Sequence, residues 1–168
     1  RVGIVGIGHT RFGNSSEYDL GDLLAYAATD CLQDAGFLER RKEIDQVFVA
    51  NMASGMFCHQ TAVASAMISK MDMEPVPAEL IENGPASGAS AIKVGYMAVA
   101  SGMADVVLVV GSEKMSEGDG QATMTKVFDP FFQQTFAAGA PGVFTMQSVE
   151  WMYRFGIPEE KARDAAAS

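Results

Sequence analysis

The sequence predicts an α/β fold built on a mainly parallel sheet, and three observations predict it. Short β-branched runs alternate along the chain with stretches of helical spacing. The strongest of those runs, residues 104–111 (ADVVLVVG), is apolar on both faces, as a strand inside a parallel sheet requires. The helical stretches between the runs are rich in Ala, Gly and Ser, which let a helix pack closely on a sheet.

Residues 2–7 (VGIVGI) predict a first buried strand ending near Gly8, followed by a polar loop from His9 to Tyr18. From Asp19, Leu20, Leu23, Leu24, Ala27, Ala28, Cys31 and Leu32 recur at helical spacing, and Gly36 is placed to end that helix. Residues 44–50 (IDQVFVA) predict a second strand. Residues 61–71 predict a helix with Met67, Ile68 and Met71 on one face, broken by Pro75-Val76-Pro77. Residues 78–81 predict a third, short strand, residues 85–101 a helix, and residues 104–111 a fourth strand. The order βαβαβαβ implies right-handed crossovers.

Beyond Ser112 the composition shifts to Met, Gln, Thr and Phe and then to residues 137–142 (AAGAPG). The expected organisation is an α/β domain over residues 1–112, an excursion from the sheet over 113–140, and return helices over 141–168. Among the last, residues 143–155 have an apolar face, and Pro158 with Glu159 and Glu160 reads as a helix start. The chain shows no internal repeat and no completed second half, so it reads as incomplete.

Of 168 residues, 48% are hydrophobic and 20% charged, enough apolar material for a real core. The net charge of −9 argues against nucleic acid or an anionic membrane as partner, since both need a basic face. Cys31 and Cys58 lie far apart without a zinc-like cluster, so neither a disulfide framework nor a metal site is expected, and a reducing cytoplasm is. No apolar run approaches the roughly 18 residues of a membrane span, and the amino terminus reads as a strand, not as a signal peptide.

Gly6 and Gly8 invite a dinucleotide-binding motif, but Arg11 stands where its third glycine belongs and no helix follows at once. The segment 82–90 (ENGPASGAS) falls at a strand-to-helix turn, where free amides and the helix dipole stabilise an anion or a developing oxyanion. It is no serine-hydrolase elbow, because Ala86 holds the position that motif gives to serine. A helix started by Pro85 with Asn83 near its cap also accounts for the segment without any function.

Four segments together carry a resemblance: residues 2–13 (VGIVGIGHTRFG), 49–55 (VANMASG), 82–92 (ENGPASGASAI) and 104–115 (ADVVLVVGSEKM). In this order and spacing they resemble the amino-terminal half of thiolases, nearest the branch of sterol-carrier-protein thiolases and their archaeal and bacterial relatives. The likeness extends through residues 139–151 (GAPGVFTMQSVEW), where that branch re-enters the sheet domain. It implies the thiolase-like layered fold, with the excursion as its loop domain, and acyl-coenzyme A thioesters as substrates without a covalently bound cofactor.

In that family the turn reads like E-x-x-C-A-S-G, and its cysteine takes the acyl group from coenzyme A. This chain has Glu82, Asn83, Gly84, Pro85, Ala86, Ser87 and Gly88, so the frame is kept and the thiol is absent. Proline offers no side-chain nucleophile and no N–H, which excludes covalent acyl transfer there. Ser87 has no visible base and reads as a small packing residue. Cys58 stands beside His59 near a helix start, a setting that lowers a thiol pKa, although neighbouring helix residues point apart. A buried or interface cysteine is the plainer reading.

His9 needs no special explanation in a polar loop, and Cys31 falls on an apolar stripe. Glu113 and Lys114 follow the fourth strand at the carboxyl edge of the sheet, either lining a pocket or forming a solvated pair. Among eleven methionines, Met115, Met124 and Met146 fall in or near the excursion, where thioethers suit an acyl pocket and equally an ordinary core.

Two functions follow from the resemblance. One is carbon–carbon bond formation or cleavage on acyl-CoA by atypical, nucleophile-free chemistry, as in thiolase-like aldolases that pair with an OB-fold and zinc-ribbon subunit. The other is a catalytically silent subunit that keeps the coenzyme A cleft or an assembly surface. Thiolases dimerise through the sheet domain, so a homodimer or larger homo-oligomer is expected. The family's histidine motif and second cysteine lie in the carboxyl-terminal half.

Overall fold

The strand β1 (Gln46–Ala50) lies in the middle of a three-stranded parallel sheet, with β2 (Ala78–Ile81) on one side and β3 (Val107–Gly111) on the other. The computed structural model describes residues 1–14, 17–136 and 139–167. They form two compact units, Arg1–Gly118 and a second from Asp119 onward.

In the first unit, alternation along β1 assigns its side chains to two layers. Val47 and Val49 are fully buried with Leu20, Leu24, Ala28 and Leu32 of α1 (Leu20–Asp34) and with Val63, Met67 and Ile68 of α3 (Val63–Lys70). Phe48 and Ala50 belong to the opposite layer, with Ala91 and Ala98 of α4 (Ser87–Ala100) and with Ala104. The result is a helix–sheet–helix arrangement, as the alternation predicted.

Local chemistry explains the helix ends. Asp19 and Asp22 form a reciprocal box at the start of α1, with Asp22 N donating to Asp19 Oδ1 (2.8 Å) and Asp19 N to Asp22 Oδ2 (3.0 Å). The chain leaves α1 at Gly36, as predicted, with φ +70° and Phe37 N bonded to Leu32 O at 2.7 Å. α4 lies close on the sheet because Gly95 has no side chain there: a Cβ would stand 2.8 Å from Val109 Cγ2.

Four expectations change. Residues 2–7 form no strand, and Ile4, Val5 and Ile7 are exposed. A strand needs a neighbouring backbone in register; here the segment follows the surface of α1 instead. Ile7 N donates to Asp34 Oδ2 (2.9 Å), His9 N to Asp30 Oδ2 (3.1 Å), and Cys31 Sγ to Gly6 O (3.4 Å). The run at 104–111 yields β3, an edge strand and not an interior one, since only β1 pairs with it among the described residues.

The helix predicted over 61–71 starts at Val63, because Ala62 has φ +54°, outside the helical region, and a short α2 (Ser54–Phe57) precedes it. Within 137–142, read as part of the excursion and its return, a helix already begins at Gly139, with Pro141 in its first turn where a missing N–H does no harm. Ala137 and Ala138 lie outside the described residues.

The second unit consists of α5 (Gly120–Thr125), α6 (Gly139–Phe155) and α7 (Glu159–Ala167). Asp119 caps α5 through Ala122 N (3.0 Å), and Thr125 Oγ1 receives Gly139 N (3.0 Å), tying the start of α6 to the end of α5. α7 follows Pro158 and carries Glu159 and Glu160 in its first turn, as its sequence predicted.

At the amino edge of the sheet, Asp45 Oδ2 accepts Asp105 N (2.8 Å) and Val106 N (2.9 Å), joining the chain entries to β1 and β3. These backbone donors, Val106 N foremost, hold its carboxyl below the ordinary value of 3.8. A folded pKa below the unfolded one stabilises above the unfolded value and loses that contribution as pH falls through the folded one. Asp45→Asn is therefore expected to lower Tm at neutral pH and to match the parent once the pH is below the depressed value. Thermal melts across that acid range check it.

Candidate functional site

The turn 82–89 leaves β2 at the carboxyl edge of the sheet and enters α4. Gly84 has φ +53°, a conformation that favours glycine, and Asn83 and Pro85 form an isolated bridge across it. Gly84 N donates to Glu82 Oε1 (2.6 Å), Ala86 N to Asn83 O (3.1 Å), and Ser87 N to Gly84 O (3.1 Å).

Ser87 locks this bend. It is 5% exposed, its Oγ accepts Asn83 N at 2.9 Å, and it donates to Gly84 O at 2.6 Å. Asn83 Nδ2 reaches Ser90 Oγ at 2.8 Å, so Asn83 ties the turn to the helix, while the α4 cap position itself falls on Ala86 without a side-chain bond. With its proton given to a carbonyl and its lone pair taken by an amide, the Ser87 hydroxyl is a structural group.

Among the described residues neither Gly88 N–H nor Ala89 N–H finds an acceptor, as expected for the first turn of a helix. Both residues are exposed, as are Pro85 and Ala86. The turn therefore offers two free donors at the positive end of α4 and no nucleophile at position 85.

Ser87→Ala leaves Asn83 N–H without its partner, and loss of such a partly buried bond costs about 1–3 kcal/mol. The expected outcome is lower stability by denaturant titration together with faster amide exchange at Asn83. Ser87→Thr, which keeps the hydroxyl, is expected to retain protection.

The other sequence candidates are dispersed. Cys58 is half-buried just after α2, and burial pushes its thiol up; the Lys114 ammonium acts against this, while Glu117, Glu113 and Asp19 reinforce it. Its neighbour His59 has φ +51°. Cys31 is likewise raised, by burial and by Asp34 and Asp30. Neither thiol is an activated one. Met115 belongs to the first unit and is 47% exposed; Met124, half-buried, and Met146, 48% exposed, belong to the second.

Glu113 and Lys114 are not a solvated pair. Lys114, its side chain 9% exposed, pairs with Glu117 Oε1 at 2.6 Å. Glu113 turns back toward the exit of β1: Oε1 accepts Asn51 Nδ2 (3.0 Å), and Oε2 accepts Met52 N (3.0 Å) and Ala53 N (3.1 Å). Asn51, 4% exposed, drew no notice in the sequence beyond its place in VANMASG. A lone asparagine directly after an apolar strand was the available signal.

A surface cleft of about 390 Å³ lies elsewhere, between α1, the 3-10 turn Leu38–Glu43 and α3. Its cations are already neutralised: Lys70 by Asp19 and Asp22, Arg41 by Asp72. Among the described residues no group of three or more His, Cys, Asp and Glu converges for a metal. No described helix is long and apolar enough to cross a membrane.

Residues 2–148 match the family described as "Thiolase, N-terminal domain". The chain is 33% identical to an acetyl-CoA acetyltransferase of Methanocaldococcus jannaschii over 161 residues, 95% of this chain and 41% of that protein. It is 28% identical to benzoylsuccinyl-CoA thiolase subunit BbsB of Thauera aromatica (95% of this chain, 40% of that one) and 28% to sterol carrier protein 2 of Gallus gallus (95% and 30%). It thus spans less than half the length of these relatives. Among solved structures, 3-oxoacyl-[acyl-carrier-protein] synthase III from Aquifex aeolicus shares the fold, with a TM-score of 0.56 at 19% identity over 71% of this chain and 39% of that one. With a parallel sheet flanked by helices, the turn into α4 and a family match over residues 2–148, the chain belongs to the thiolase family, as its amino-terminal domain.

Proposed function

We propose that the protein acts on acyl-CoA thioesters, making or breaking a carbon–carbon bond beside the thioester carbonyl without an acyl-enzyme. One observation carries this reading: the turn keeps the family frame around a helix start with free Gly88 and Ala89 amides, yet residue 85 is proline. Two amide donors polarise a carbonyl oxygen and stabilise the enolate left when the adjacent bond breaks, and neither task needs a nucleophile. The Ser87 hydroxyl is occupied by two hydrogen bonds and burial raises the Cys58 thiol, so neither is a ready substitute nucleophile.

The relatives' names, an acetyl-CoA acetyltransferase and a benzoylsuccinyl-CoA thiolase subunit, support a coenzyme A thioester as substrate. Under this reading the active-site turn is Asn83–Ser87. The loop domain is the excursion 113–140, the protein is cytoplasmic, and it assembles as a homodimer or larger homo-oligomer, with an OB-fold and zinc-ribbon subunit as the aldolase-type partner. The second reading, a silent coenzyme A-binding or assembly subunit, is favoured by the missing thiol itself.

Calorimetry of the full-length gene product with acetyl-CoA, intact-mass analysis for an acyl adduct, and a carbon–carbon cleavage assay separate the two. The expected result is binding, no adduct, and turnover that survives alkylation of Cys58. Binding without turnover selects the silent coenzyme A-binding subunit, and absence of binding removes both coenzyme A readings and leaves only the assembly role.

A further inference from the structure

We propose that Glu113 is a positioning residue for the turn 82–89, acting through Asn51; this rests on reading that turn as the acyl-thioester site. The ladder is looser at the carboxyl edge of the sheet than at the amino edge, where Val47 N meets Pro77 O and Asp45 N meets Val106 O at 2.9 Å. The last bonds at the carboxyl edge are long: Asn51 N to Ile81 O at 3.4 Å and Ser112 N to Ala50 O at 3.3 Å. Ile81 is the residue from which the chain enters Glu82 and the turn.

Side chains take over where the ladder fails. Asn51 Nδ2 donates both to Ser112 O (2.8 Å) and to Glu113 Oε1, and its Oδ1 accepts Ser54 N (2.9 Å). Glu113 Oε2 collects the Met52 and Ala53 amides. Two strand exits about sixty residues apart in sequence are thereby joined, and the Asn51 backbone, which meets Ile81 O, is held in place.

All the groups that meet the Glu113 oxygens are N–H donors, so the site requires a side chain that only accepts. Glutamine has nearly the same shape but sets an NH₂ against one of those donors. Asn51 cannot turn its amide over to compensate, because Ser54 N and Ser112 O fix both its ends. Asn51→Asp breaks the same clamp from the other side, placing a carboxylate against Glu113 and against Ser112 O.

A thiol introduced by Pro85→Cys in the full-length gene product serves as the reporter, and its reaction with iodoacetamide needs no acyl-CoA. Peptide mass spectrometry distinguishes it from Cys31 and Cys58. With Glu113 present, the pH midpoint of alkylation at position 85 is expected below the free-cysteine value of about 8.5, and Glu113→Gln and Asn51→Asp are each expected to return it to about 8.5. Asp45→Asn, at the opposite edge of the sheet, is expected to lower Tm and leave the midpoint unchanged.

A midpoint that neither clamp variant moves overturns the proposal. So does one that Asp45→Asn moves equally, or one already at the free-cysteine value before Glu113 is touched. If the midpoint responds as expected while acetyl-CoA does not bind, the positioning role stands and the acyl-thioester reading fails.

Discussion

The Pro85→Cys chain is expected to take an acyl group from acetyl-CoA where the natural chain takes none. The substituted residue stands one position before Ala86, the cap of α4, beside the unpartnered Gly88 and Ala89 amides. A thiolate there meets the positive end of a 14-residue helix, and such settings lower a thiol pKa from about 8.5 to about 7 or below. At pH 7 a fall from about 8.5 to about 7 raises the thiolate fraction from roughly 3% to roughly 50%.

The substitution is geometrically mild. Pro85 is exposed, so the N–H that cysteine adds can meet water, and the bend itself is held by Gly84, Ser87 and Asn83 and not by the proline ring. Intact-mass spectrometry after incubation with acetyl-CoA, with peptide mapping to position 85, reads the adduct. A thiol at position 85 that alkylates readily but is never acylated would count against an acyl-CoA cleft at this turn.

The second large effect is on stability. Phe48→Ala is expected to destabilise the protein by about 3–5 kcal/mol, the range for truncating a fully buried phenylalanine. Phe48 is 2% exposed in a layer whose other buried members are Ala50, Ala91, Ala98 and Ala104, with the partly buried Ile81, Val94, Val107 and Val109 packed against them. The alanines have nothing to swing into the void, and the β-branched Ile81, Val94, Val107 and Val109 are stiff at χ1, so the site collapses poorly.

Because the same layer seats α4 on the sheet, Phe48→Ala is also expected to loosen the turn at the head of that helix. Urea titration measures the first effect, and amide exchange at Asn83 and Ser87 the second. Phe131→Ala is the control: at 82% exposure its truncation is expected to change stability by no more than about 0.5 kcal/mol. A loss as small at Phe48 would refute the assignment of that layer as core.

The sequence was most legible where a local rule and the tertiary outcome coincide. The stripe Leu20, Leu24, Ala28, Leu32 bounded by Asp19 and Gly36 folds as read, since cap, period and terminator are all written within one segment. The turn before α4 was legible for the same reason: Gly84-Pro85 cannot continue a strand, and the residues after it favour a helix. Periodicity misled where a partner had to be inferred. Residues 2–7 and 104–111 look equally apolar, yet one lies along α1 and the other pairs at a sheet edge.

Glu113 shows the same limit from the polar side. Nothing local distinguishes it from an exposed glutamate after a strand, because its three donors come from residues 51–53, far back in the chain.

By itself the sequence determined the α/β class, the family and the absence of a thiol at position 85, because composition, spacing and residue identity are properties of short segments. The tertiary structure alone decided that Ser87 is a lock and not a nucleophile, that burial raises the Cys58 thiol instead of activating it, and that Glu113 and Asn51 join two strand exits. Those facts depend on which distant groups meet at hydrogen-bond distance, and a linear pattern carries no record of such meetings.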